Sequence, residues 1–295
     1  LSVGQGGKGS NQAIACGRTG VRTTFIGAMG RGDYAEKVAA FYRREKIGCR
    51  IALKSDQPTG TAVILLNREG QNIIVIEPGA NARLAPADVP RALLSGAKVV
   101  VTQLESNLTT TAHALRTARR AGVTTILNPA PMRPDFDLRL LRSVDILIPN
   151  ESEFTALVRM LPGTGLRQFD ERALHVMPRA ALHALCRRFQ VPTLIITLGS
   201  KGCFISGSDG HHFICACRGL RVVDTTGAGD AFCGGFAAGL VRHGGNVVAA
   251  ARLGTAVAAL SITKPGAASA MPAKTELNRF LRKTAAAHRK PADAD

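Results

Sequence analysis

The sequence predicts an α/β fold built on a mostly parallel central sheet. From residue 98 onward, apolar strand-like runs alternate with helix-like segments, and each run ends at a polar or glycine-rich loop. Helices between hydrophobic strands imply parallel pairing with right-handed crossovers. A chain of 295 residues, 45% of them hydrophobic, can bury one large core, so we expect residues 1–295 to form a single domain.

The strands of this regular part are predicted at residues 99–104, 124–127, 146–148 and 193–197, with a helix over 109–121. Open sheets of this kind bind ligands at the carboxyl ends of their strands. The polar and glycine residues at these ends are Glu105, Asn128, Asn150, Glu153, Thr197, Gly199 and Asp224. Their coincidence at strand ends favours a ligand site at that edge of the sheet.

The first part of the chain departs from the simple alternation. We predict a strand at 23–30, a helix at 34–46, and two strands at 61–66 and 72–76 joined by a glycine-containing loop at 67–71. A hairpin inside an α/β chain is an excursion from the sheet, so we expect residues 58–78 to form a flap over a site. Residues 159–179 are predicted to be a surface insertion, and the basic tail 283–295 is predicted to be disordered.

The strongly basic composition favours affinity for anions. The formal net charge is +17, but Arg and Lys are spread along the chain, and 0 Trp and 2 Tyr leave few rings to stack on bases. A nucleotide substrate therefore fits better than a nucleic-acid partner. No apolar run approaches the roughly 18 residues of a membrane span, and the scattered cysteines suit reduced thiols in a reducing compartment. We expect a cytoplasmic protein without a membrane or nucleic-acid partner.

The segment 222–232, Val-Val-Asp-Thr-Thr-Gly-Ala-Gly-Asp-Ala-Phe, carries the strongest chemical signal. Val222 and Val223 are predicted to end a strand, and the apolar run 231–240 is predicted to be a buried helix. The small residues between them let free amides at the helix N-terminus approach an anion. Asp230 would be repelled by a phosphate unless it takes a proton from a hydroxyl that attacks that phosphate.

This segment therefore predicts phosphoryl transfer to an alcohol. The alternative, from the residues alone, is a tight strand-to-helix turn in which the helix dipole favours a carboxylate in the first turn. The Lys-Ser/Thr ending of a P-loop is absent from the segment, which excludes that kind of nucleotide site.

A second glycine-rich segment, residues 4–9, runs into an apolar helix. Gly6 and Gly7 would let backbone amides meet a polyhydroxylated ligand, and Asn11 offers both a donor and an acceptor to hydroxyls. Lys8 adds a positive charge. The alternative is a loop that leads into a helix capped by Ser10 or Asn11. The density of glycine around Lys8 favours a binding site.

These segments together resemble the ribokinase (phosphofructokinase-B-like) family of sugar kinases. The two signature segments are 6–13 and 224–232, and residues 103–105, 128–131, 150–153 and 197–202 also match, so the resemblance covers nearly the whole chain. It implies a ribokinase-like three-layer α/β/α sandwich with a mostly parallel central sheet and a small β lid. Lys8, Asn-Gln-Ala at 11–13 and Gln-Leu-Glu at 103–105 resemble ribokinases more than fructokinases or adenosine kinases. The implied reaction is ATP-dependent phosphorylation of D-ribose to D-ribose 5-phosphate.

The resemblance also implies a role for each site residue. Asp230 would be the general base on the sugar 5-hydroxyl, and the amides of Gly227, Ala228 and Gly229 would form the anion hole. The implied sugar-binding residues are Gly7, Lys8, Asn11, Glu105 and Asp230. The implied nucleotide-binding residues are Asn150, Glu153, Thr197, Gly199, Ser200, Gly202, Gly229 and Thr255, the first two near the phosphates and their Mg²⁺ and the last near adenine.

A monovalent-cation site is implied beside the anion hole. Its ligands would be Asp224 and the Thr226 carbonyl, completed by backbone oxygens of Ser261, Lys264 and Gly266. A K⁺ ion there would order the anion-hole loop without joining the chemistry. Ala270 stands where ribokinases often have Ser, so one ligand is lost. The resemblance further implies a homodimer contact through the flap hairpin.

The start of the sequence departs from the family pattern. Family members begin with a central strand that carries a sugar-binding Asp, followed by a lid strand, whereas this sequence starts almost at the Gly-Gly-Lys-Gly motif. We therefore expect the N-terminal strand to be missing, so that either the sequence is truncated or the protein has lost full activity. The alternatives to a ribose kinase are a related sugar or nucleoside kinase and a catalytically impaired, N-terminally truncated nucleotide-binding remnant.

Overall fold

The computed structural model describes residues 4–66, 72–163 and 165–287. The α-helices are α1 (Lys8–Arg18), α2 (Asp33–Arg44), α3 (Arg91–Ser95), α4 (Leu108–Arg120), α5 (Glu151–Met160), α6 (Glu171–Val176), α7 (Arg179–Arg187), α8 (Ala228–Arg242), α9 (Val247–Ser261) and α10 (Lys274–Ala287). The strands are β1 (Thr24–Gly30), β2 (Gly48–Lys54), β3 (Thr61–Leu66), β4 (Asn72–Glu77), β5 (Val99–Thr102), β6 (Thr124–Leu127), β7 (Ile146–Leu147), β8 (Thr193–Thr197), β9 (Gly202–Gly207) and β10 (Gly210–Cys215).

Strands β5 to β10 form one sheet in the spatial order β10-β9-β8-β7-β6-β5. Strands β5, β6, β7 and β8 pair in parallel, and β9 and β10 extend the sheet in antiparallel fashion. Strand β1 pairs in parallel with β2 in a separate sheet. The prediction of a mostly parallel central sheet is confirmed, and the carboxyl ends of β5 to β8 lie along one edge.

Successive residues of the six-stranded sheet face two different helix layers, because side chains alternate along a strand. Ile126 and Ile146 pack with Phe236 of α8 on one face. Their neighbours Leu127 and Leu147 pack on the other face with residues of α4, α5 and α7. Strands covered on both faces read as continuous apolar runs, as these do. The predicted three-layer α/β/α sandwich is confirmed.

Glycines in α8 allow α1 and α9 to approach it closely. A Cβ atom at Gly234 would collide with the Gln12 carbonyl oxygen and would lie 2.6 Å from the Ala15 Cβ. A Cβ atom at Gly239 would lie 2.5 Å from the Ala250 Cα. This close packing brings the N-terminal part of α1 next to the first turn of α8.

The strand predicted to end at Val222 and Val223 is wrong. The chain there is an irregular connection between β10 and α8, and both side chains are exposed. Instead of pairing with a strand, the amides of Val223 and Asp224 both donate to the Ile262 carbonyl, at 2.8 and 3.2 Å. The backbone groups are thus satisfied by the end of α9, and two β-branched residues without a partner strand do not extend the sheet.

Two further predictions about the periphery need adjustment. Phe169 and Leu174, within the predicted surface insertion 159–179, are buried beside Phe154 in the main core, because α6 packs on α5. Helix α10 continues to Ala287, so the first residues of the predicted disordered tail 283–295 are helical, and residues 288–295 lie outside the described part.

The predicted hairpin is present. Strands β3 and β4 pair in antiparallel fashion from Thr61 opposite Glu77 to Leu66 opposite Asn72, and the connecting residues 67–71 lie outside the described part. Val63 and Val75 are opposite each other and exposed. Across residues 4–66, 72–163 and 165–287, no helix combines the length and apolar character needed to cross a bilayer.

Candidate active site

Asp230 lies in the first turn of α8, and both of its carboxylate oxygens are held by side-chain amides of α1. The Asn11 Nδ2 donates to Oδ2 at 2.8 Å, and the Gln12 Nε2 donates to Oδ1 at 2.9 Å. Asp230 is only 7% exposed. Burial raises its pKa above the ordinary value, and the charge of Lys8 and the bonds from Asn11 and Gln12 offset part of that rise. A buried carboxylate with a raised pKa suits a general base.

The glycine-rich segment at the N-terminus of α1 meets the end of β5. Helix α1 begins at Lys8, and the Lys8 amide donates to the Glu105 Oε2 at 2.7 Å. Gly7 precedes the helix at φ 87°, a left-handed conformation that favours glycine. The predicted cap by Ser10 or Asn11 is wrong, because both residues are buried inside the helix and Asn11 is committed to Asp230.

Glu105 and Glu153 share the electrostatic environment of Asp230. Burial raises the pKa of each glutamate, Lys8 lowers it, and the charge of Asp230 raises it further. Lys8 therefore interacts with carboxyl groups contributed by the loop after β5, by the first turn of α5 and by the first turn of α8. Glu105, Glu153 and Asp230, which belong to the predicted sugar-binding and phosphate-binding sets, all feel the charge of Lys8.

Asn150 and Glu153 form a capping box at the N-terminus of α5. The Asn150 Oδ1 accepts from the Glu153 amide at 2.8 Å, while the Glu153 carboxylate accepts from the Asn150 amide at 2.9 Å and from Asn150 Nδ2 at 3.1 Å. This reciprocal pairing satisfies free helix amides. The pair therefore has a structural role at the start of α5, and its place near the phosphates stays a prediction.

The predicted nucleotide residues lie along the ends of β7, β8 and β9. The Thr197 amide donates to the Pro149 carbonyl at 2.9 Å, which joins the ends of β7 and β8. Gly199 and Ser200 lie in an exposed turn, and Gly202 has φ 110° with the Ile214 carbonyl where a Cβ would be. Thr255 lies in α9, and its buried hydroxyl contacts the thiol of Cys203, the residue that follows Gly202 in β9.

One of the three amides of the predicted anion hole already has a hydrogen-bond partner within the protein. The Ala228 amide donates to the Thr225 carbonyl at 3.1 Å within the turn. Gly229 is exposed, with open space where a Cβ would be. Gly227 adopts a left-handed conformation, φ 77°, and a Cβ there would lie 2.9 Å from the Ala267 Cβ. The turn thus leaves the backbone at Gly229 accessible and packs Gly227 against the 265–270 loop.

Asp224 joins that loop to the turn. Its Oδ1 accepts from the Thr226 amide and its Oδ2 from the Gly266 amide, both at 2.8 Å. Burial alone would raise the pKa of Asp224, but these amide bonds outweigh it and hold the pKa below the ordinary value. An ionised carboxylate is therefore fixed between two loops.

Of the other predicted cation residues, Gly266 contacts this carboxylate, and Ser261, Lys264 and Ala270 belong to the same segment of the chain. Ser261 is buried, and its hydroxyl donates to the Ala258 carbonyl at 2.8 Å. The Lys264 ammonium pairs with Glu276 at 2.5 Å. Ala270 is buried and its methyl group offers no oxygen. One carboxylate and backbone carbonyls form an all-oxygen set, which suits a hard cation. Within the described ranges, no cluster of three or more His, Cys, Asp or Glu side chains could hold a metal.

Sequence reasoning missed two glutamines that contact the site. The Gln103 Nε2 donates to the Gln12 Oε1 at 2.6 Å, and the Gln12 Nε2 also donates to the Asn128 Oδ1 at 3.1 Å. Both glutamines stand inside motifs quoted from the sequence, next to Asn11 and close to Glu105. Their positions beside predicted ligands were the available signal, but glutamine by itself carries no catalytic signature.

A third missed residue is His175 of α6. The Lys201 Nζ lies 2.9 Å from the His175 Nδ1, and the His175 Nε2 lies 3.0 Å from the Glu151 Oε1. Lys201 can only donate, so Nδ1 accepts and Nε2 carries the proton. This contact ties the inserted helix to the turn beside Gly199, and no local pattern around His175 indicates it.

The fold and the site define a class of enzyme. A buried carboxylate beside a helix N-terminus, with polar acceptors around it and a glycine turn at the strand ends, can deprotonate a hydroxyl and bind a phosphoryl group. That is the equipment of a kinase that acts on a small hydroxylated substrate. The chain belongs to the pfkB family of carbohydrate kinases, whose model matches residues 1–274.

Similar proteins agree with this assignment. A ribokinase of Haemophilus influenzae is 34% identical over 284 residues, covering 95% of this chain and 88% of the relative. A deoxyribokinase of Salmonella typhi is 32% identical over 286 residues, covering 95% and 89%. The structure of Arabidopsis thaliana ribokinase complexed with ribose and ATP has a TM-score of 0.80 and 29% identity, covering 96% and 90%. The chain is therefore a sugar kinase of the ribokinase type.

Proposed function

We propose that this protein transfers the γ-phosphoryl group of ATP to the 5-hydroxyl of D-ribose. The observation that carries the proposal is Asp230, which is buried at the N-terminus of α8 with both oxygens held by Asn11 and Gln12. In this geometry the carboxylate is fixed for proton abstraction and is not free to rotate into solvent. Relatives that act on ribose, and a related structure that holds ribose and ATP, support the same substrates.

In the proposed reaction, Asp230 accepts the proton of the sugar 5-hydroxyl, and the oxygen of that hydroxyl attacks the γ-phosphorus of ATP. The bond between that phosphorus and the bridging oxygen of ADP breaks, and ADP leaves. The accessible backbone at Gly229, with Gly227, stabilises the charge on the transferring group, and the Ala228 amide can join them only by leaving the Thr225 carbonyl. General-base catalysis contributes roughly 10²–10⁴-fold in rate, and one anion-hole donor about 10²–10³-fold.

The acceptors around Asp230 match a sugar. The Asn11 Oδ1 is buried and has no hydrogen-bond partner among the described residues, while Asn11 Nδ2 is committed to Asp230. An unpartnered buried acceptor is costly unless a ligand donates to it. The carboxylate of Glu105 adds a second acceptor beside the Lys8 amide. Hydroxyl groups of a small sugar would satisfy both.

Mg²⁺ and K⁺ are part of the proposal. Glu153 and Asn150 would lie near the Mg²⁺ of MgATP. Both Glu153 oxygens keep lone pairs beyond the hydrogen bonds that they accept from Asn150. Bound Mg²⁺ neutralises charge on the phosphates. Asp224 and the neighbouring carbonyls would hold K⁺, and the paired amides of Thr226 and Gly266 show that the carboxylate already organises this loop.

The identity of the sugar is the most specific part of the proposal, and the alternative substrate is a related sugar or a nucleoside. The deoxyribokinase relative favours 2-deoxyribose as the competitor. We would measure kcat/KM for D-ribose, 2-deoxy-D-ribose, D-fructose and adenosine with MgATP under identical conditions. Ribose should give the highest value. A higher value for any of the other three would reassign the substrate while leaving the kinase family intact.

The activity itself is tested with Asp230→Ala. The variant should lose ribose-dependent release of ADP, because no other carboxylate is held at the helix N-terminus, while calorimetry should show retained nucleotide binding. If Asp230→Ala turned over ribose as fast as the wild type, the proposed mechanism would be contradicted. Wild-type protein that binds ATP but neither binds nor phosphorylates a sugar would instead be the nucleotide-binding remnant.

A cytoplasmic location and a dimer through the flap hairpin stay as proposals. The exposed pair of Val63 and Val75 on the hairpin supports an apolar contact of that kind. Analytical ultracentrifugation of the wild type and of Val63→Asp would test it, with a monomeric wild type as the contrary result.

A further inference from the structure

We propose that Gln12 and Gln103 are positioning residues that fix the orientation of the Asp230 carboxylate through a directional chain of side-chain amides. The proposal rests on the proposed function, in which Asp230 is the base. Neither glutamine belongs to the sugar, nucleotide or cation residues considered above. Both act through another residue and not on the reacting atoms.

The chain of hydrogen bonds runs across the sheet edge. The Gln103 Nε2 donates to the Gln12 Oε1 at 2.6 Å. The Gln12 Nε2 donates to the Asp230 Oδ1 at 2.9 Å and to the Asn128 Oδ1 at 3.1 Å. The Asn128 Nδ2 then donates to the Ile148 carbonyl at 2.8 Å. The chain links the ends of β5, β6 and β7 to α1 and α8.

The direction of this chain is fixed by chemistry. Asp230, when ionised, can only accept, and the Ile148 carbonyl can only accept. Asn128 must therefore turn its Nδ2 toward Ile148 and present its Oδ1 to Gln12. A reversed Gln12 amide would place its oxygen against two acceptors. The only arrangement without a clash of like groups has the Gln12 Nε2 toward Asp230 and its Oε1 toward Gln103.

Burial makes the chain consequential. Gln12 is 3% exposed and Asn128 is 7% exposed, so water cannot readily replace a lost partner. Unmade hydrogen bonds in such surroundings are costly, and fully satisfied polar networks hold side chains in one arrangement. Gln103 is only partly buried, but it supplies the donor that holds the outer end of the Gln12 amide.

The consequence for catalysis differs from that for binding. Without Gln12, Asp230 would be held by Asn11 alone, and its carboxylate could rotate away from the substrate hydroxyl. Asn11 keeps its own contact with the sugar in the proposed complex, so ribose binding should change little. Loss of the Gln12 donor also removes one of the interactions that lower the pKa of Asp230.

We would replace Gln12 and Gln103 by Met, which approximates the shape of Gln without the amide. Gln12→Met should lower kcat by about 10²-fold, the scale of a small misplacement of a reacting group. The KM for ribose should stay within about threefold, and the acid limb of the kcat profile should move to higher pH. Gln103→Met should have a smaller effect, about three- to tenfold. Gln168→Met, at an exposed position outside the site, is the matched control.

Coupling separates positioning from general destabilisation. Because Gln103 acts through Gln12, the double variant should be no slower than Gln12→Met alone. Fully additive losses, or a fall in kcat accompanied by an equal rise in the KM for ribose and no movement of the acid limb, would overturn the proposal. So would a folded Gln12→Met enzyme with the wild-type kcat and pH profile.

A readout without turnover keeps the test independent of the proposed reaction. The ¹³C carboxyl resonance of Asp230, assigned by its absence in Asp230→Asn, can be titrated in the ligand-free protein. Its pKa should rise in Gln12→Met and stay unchanged in Gln168→Met. An unchanged pKa in Gln12→Met would overturn the positioning role, whereas a changed pKa in a protein without kinase activity would refute only the reaction.

Discussion

Asp224 and Asp230 stand at the two ends of the same glycine-containing turn, yet the structure gives them opposite properties. Asp224 is half-buried, accepts from two backbone amides and has a lowered pKa. Asp230 is buried, accepts from two side-chain amides and has a raised pKa. The same residue type is thus held as a permanent charge at one end and as a proton acceptor at the other.

The difference shows which surroundings decide the role of a carboxylate. Backbone amides of a loop stabilise the ionised form, so Asp224 serves to hold the loop at Thr226 and Gly266 in place. Burial disfavours the ionised form of Asp230 and outweighs the charge of Lys8 and the bonds from Asn11 and Gln12, so Asp230 binds a proton more readily. Proton abstraction requires a carboxylate like Asp230. The conformation of the turn requires an ionised carboxylate like Asp224.

The largest expected effect separates the two aspartates by activity. Asp230→Asn should reduce kcat by about 10²–10⁴-fold, because the base is lost while the shape is kept. Asp224→Asn should reduce kcat less, by about tenfold, because only the loop is disturbed. Steady-state ADP release at saturating ribose and MgATP measures both. Equal losses in the two variants would erase the proposed distinction.

An intermediate effect concerns the turn itself. Gly227→Ala forces a left-handed conformation, φ 77°, on a residue with a Cβ, and that atom would lie 2.9 Å from the Ala267 Cβ. The conformational cost is about 1–2 kcal/mol. We expect kcat to fall by about 10-fold or more because the neighbouring Gly229 amide moves.

Gly122→Ala, also at a positive φ but with open space around it, is the control for the backbone cost alone. It should lose comparable stability in thermal unfolding and retain full kcat. A Gly227→Ala enzyme as active as Gly122→Ala would separate the turn from catalysis.

The opposite pKa shifts predict opposite pH effects on stability. Because the pKa of Asp230 is raised, the folded state binds its proton more tightly, and this group costs stability as the pH rises from the ordinary value of 3.8 through the folded-state pKa. Because the pKa of Asp224 is lowered, its contribution is present above 3.8 and is lost as the pH falls through the folded-state pKa.

Chemical unfolding of the two Asn variants between pH 3 and 7 tests these signs. Relative to wild type, Asp230→Asn should gain stability as the pH rises, and Asp224→Asn should lose stability. The pH slopes matter here and the absolute stabilities do not, since each substitution also changes hydrogen bonds. Slopes of the same sign for both variants would contradict the contrast.

The smallest effect is expected from a substitution that adds a hydroxyl oxygen to the loop bound by Asp224. Ala270→Ser restores the hydroxyl that the cation loop lacks, and affinity at such sites depends on the number of oxygen ligands. We expect the K⁺ concentration for half-maximal activity to fall by about two- to threefold. Ser269→Ala, next to it in the same loop, is the control. No response of either enzyme to replacement of K⁺ by Na⁺ would remove the cation site from the proposal.

Most strands of the parallel sheet could be predicted from the sequence. The apolar runs predicted as strands at 99–104, 124–127 and 146–148 became β5, β6 and β7 of the parallel sheet, the first ending at Thr102 and the last at Leu147, because strands buried on both faces carry a continuous apolar pattern. The short pair Val222 and Val223 failed, because a β-branched pair forms a strand only if a neighbouring strand offers its edge.

The site divides in the same way. Asp230, Lys8 and Asn11 stand in short motifs whose residue types already indicate charge, anion binding and hydroxyl recognition, so the sequence by itself determined the chemistry. Only the tertiary structure decided that Gln103 reaches Gln12 and that Gln12 reaches Asn128 and Asp230. It also decided that Asp224 stays ionised while Asp230 holds a proton more tightly. The reason is physical: hydrogen-bond partners and burial depend on which distant segments meet, and local spacing carries no record of them.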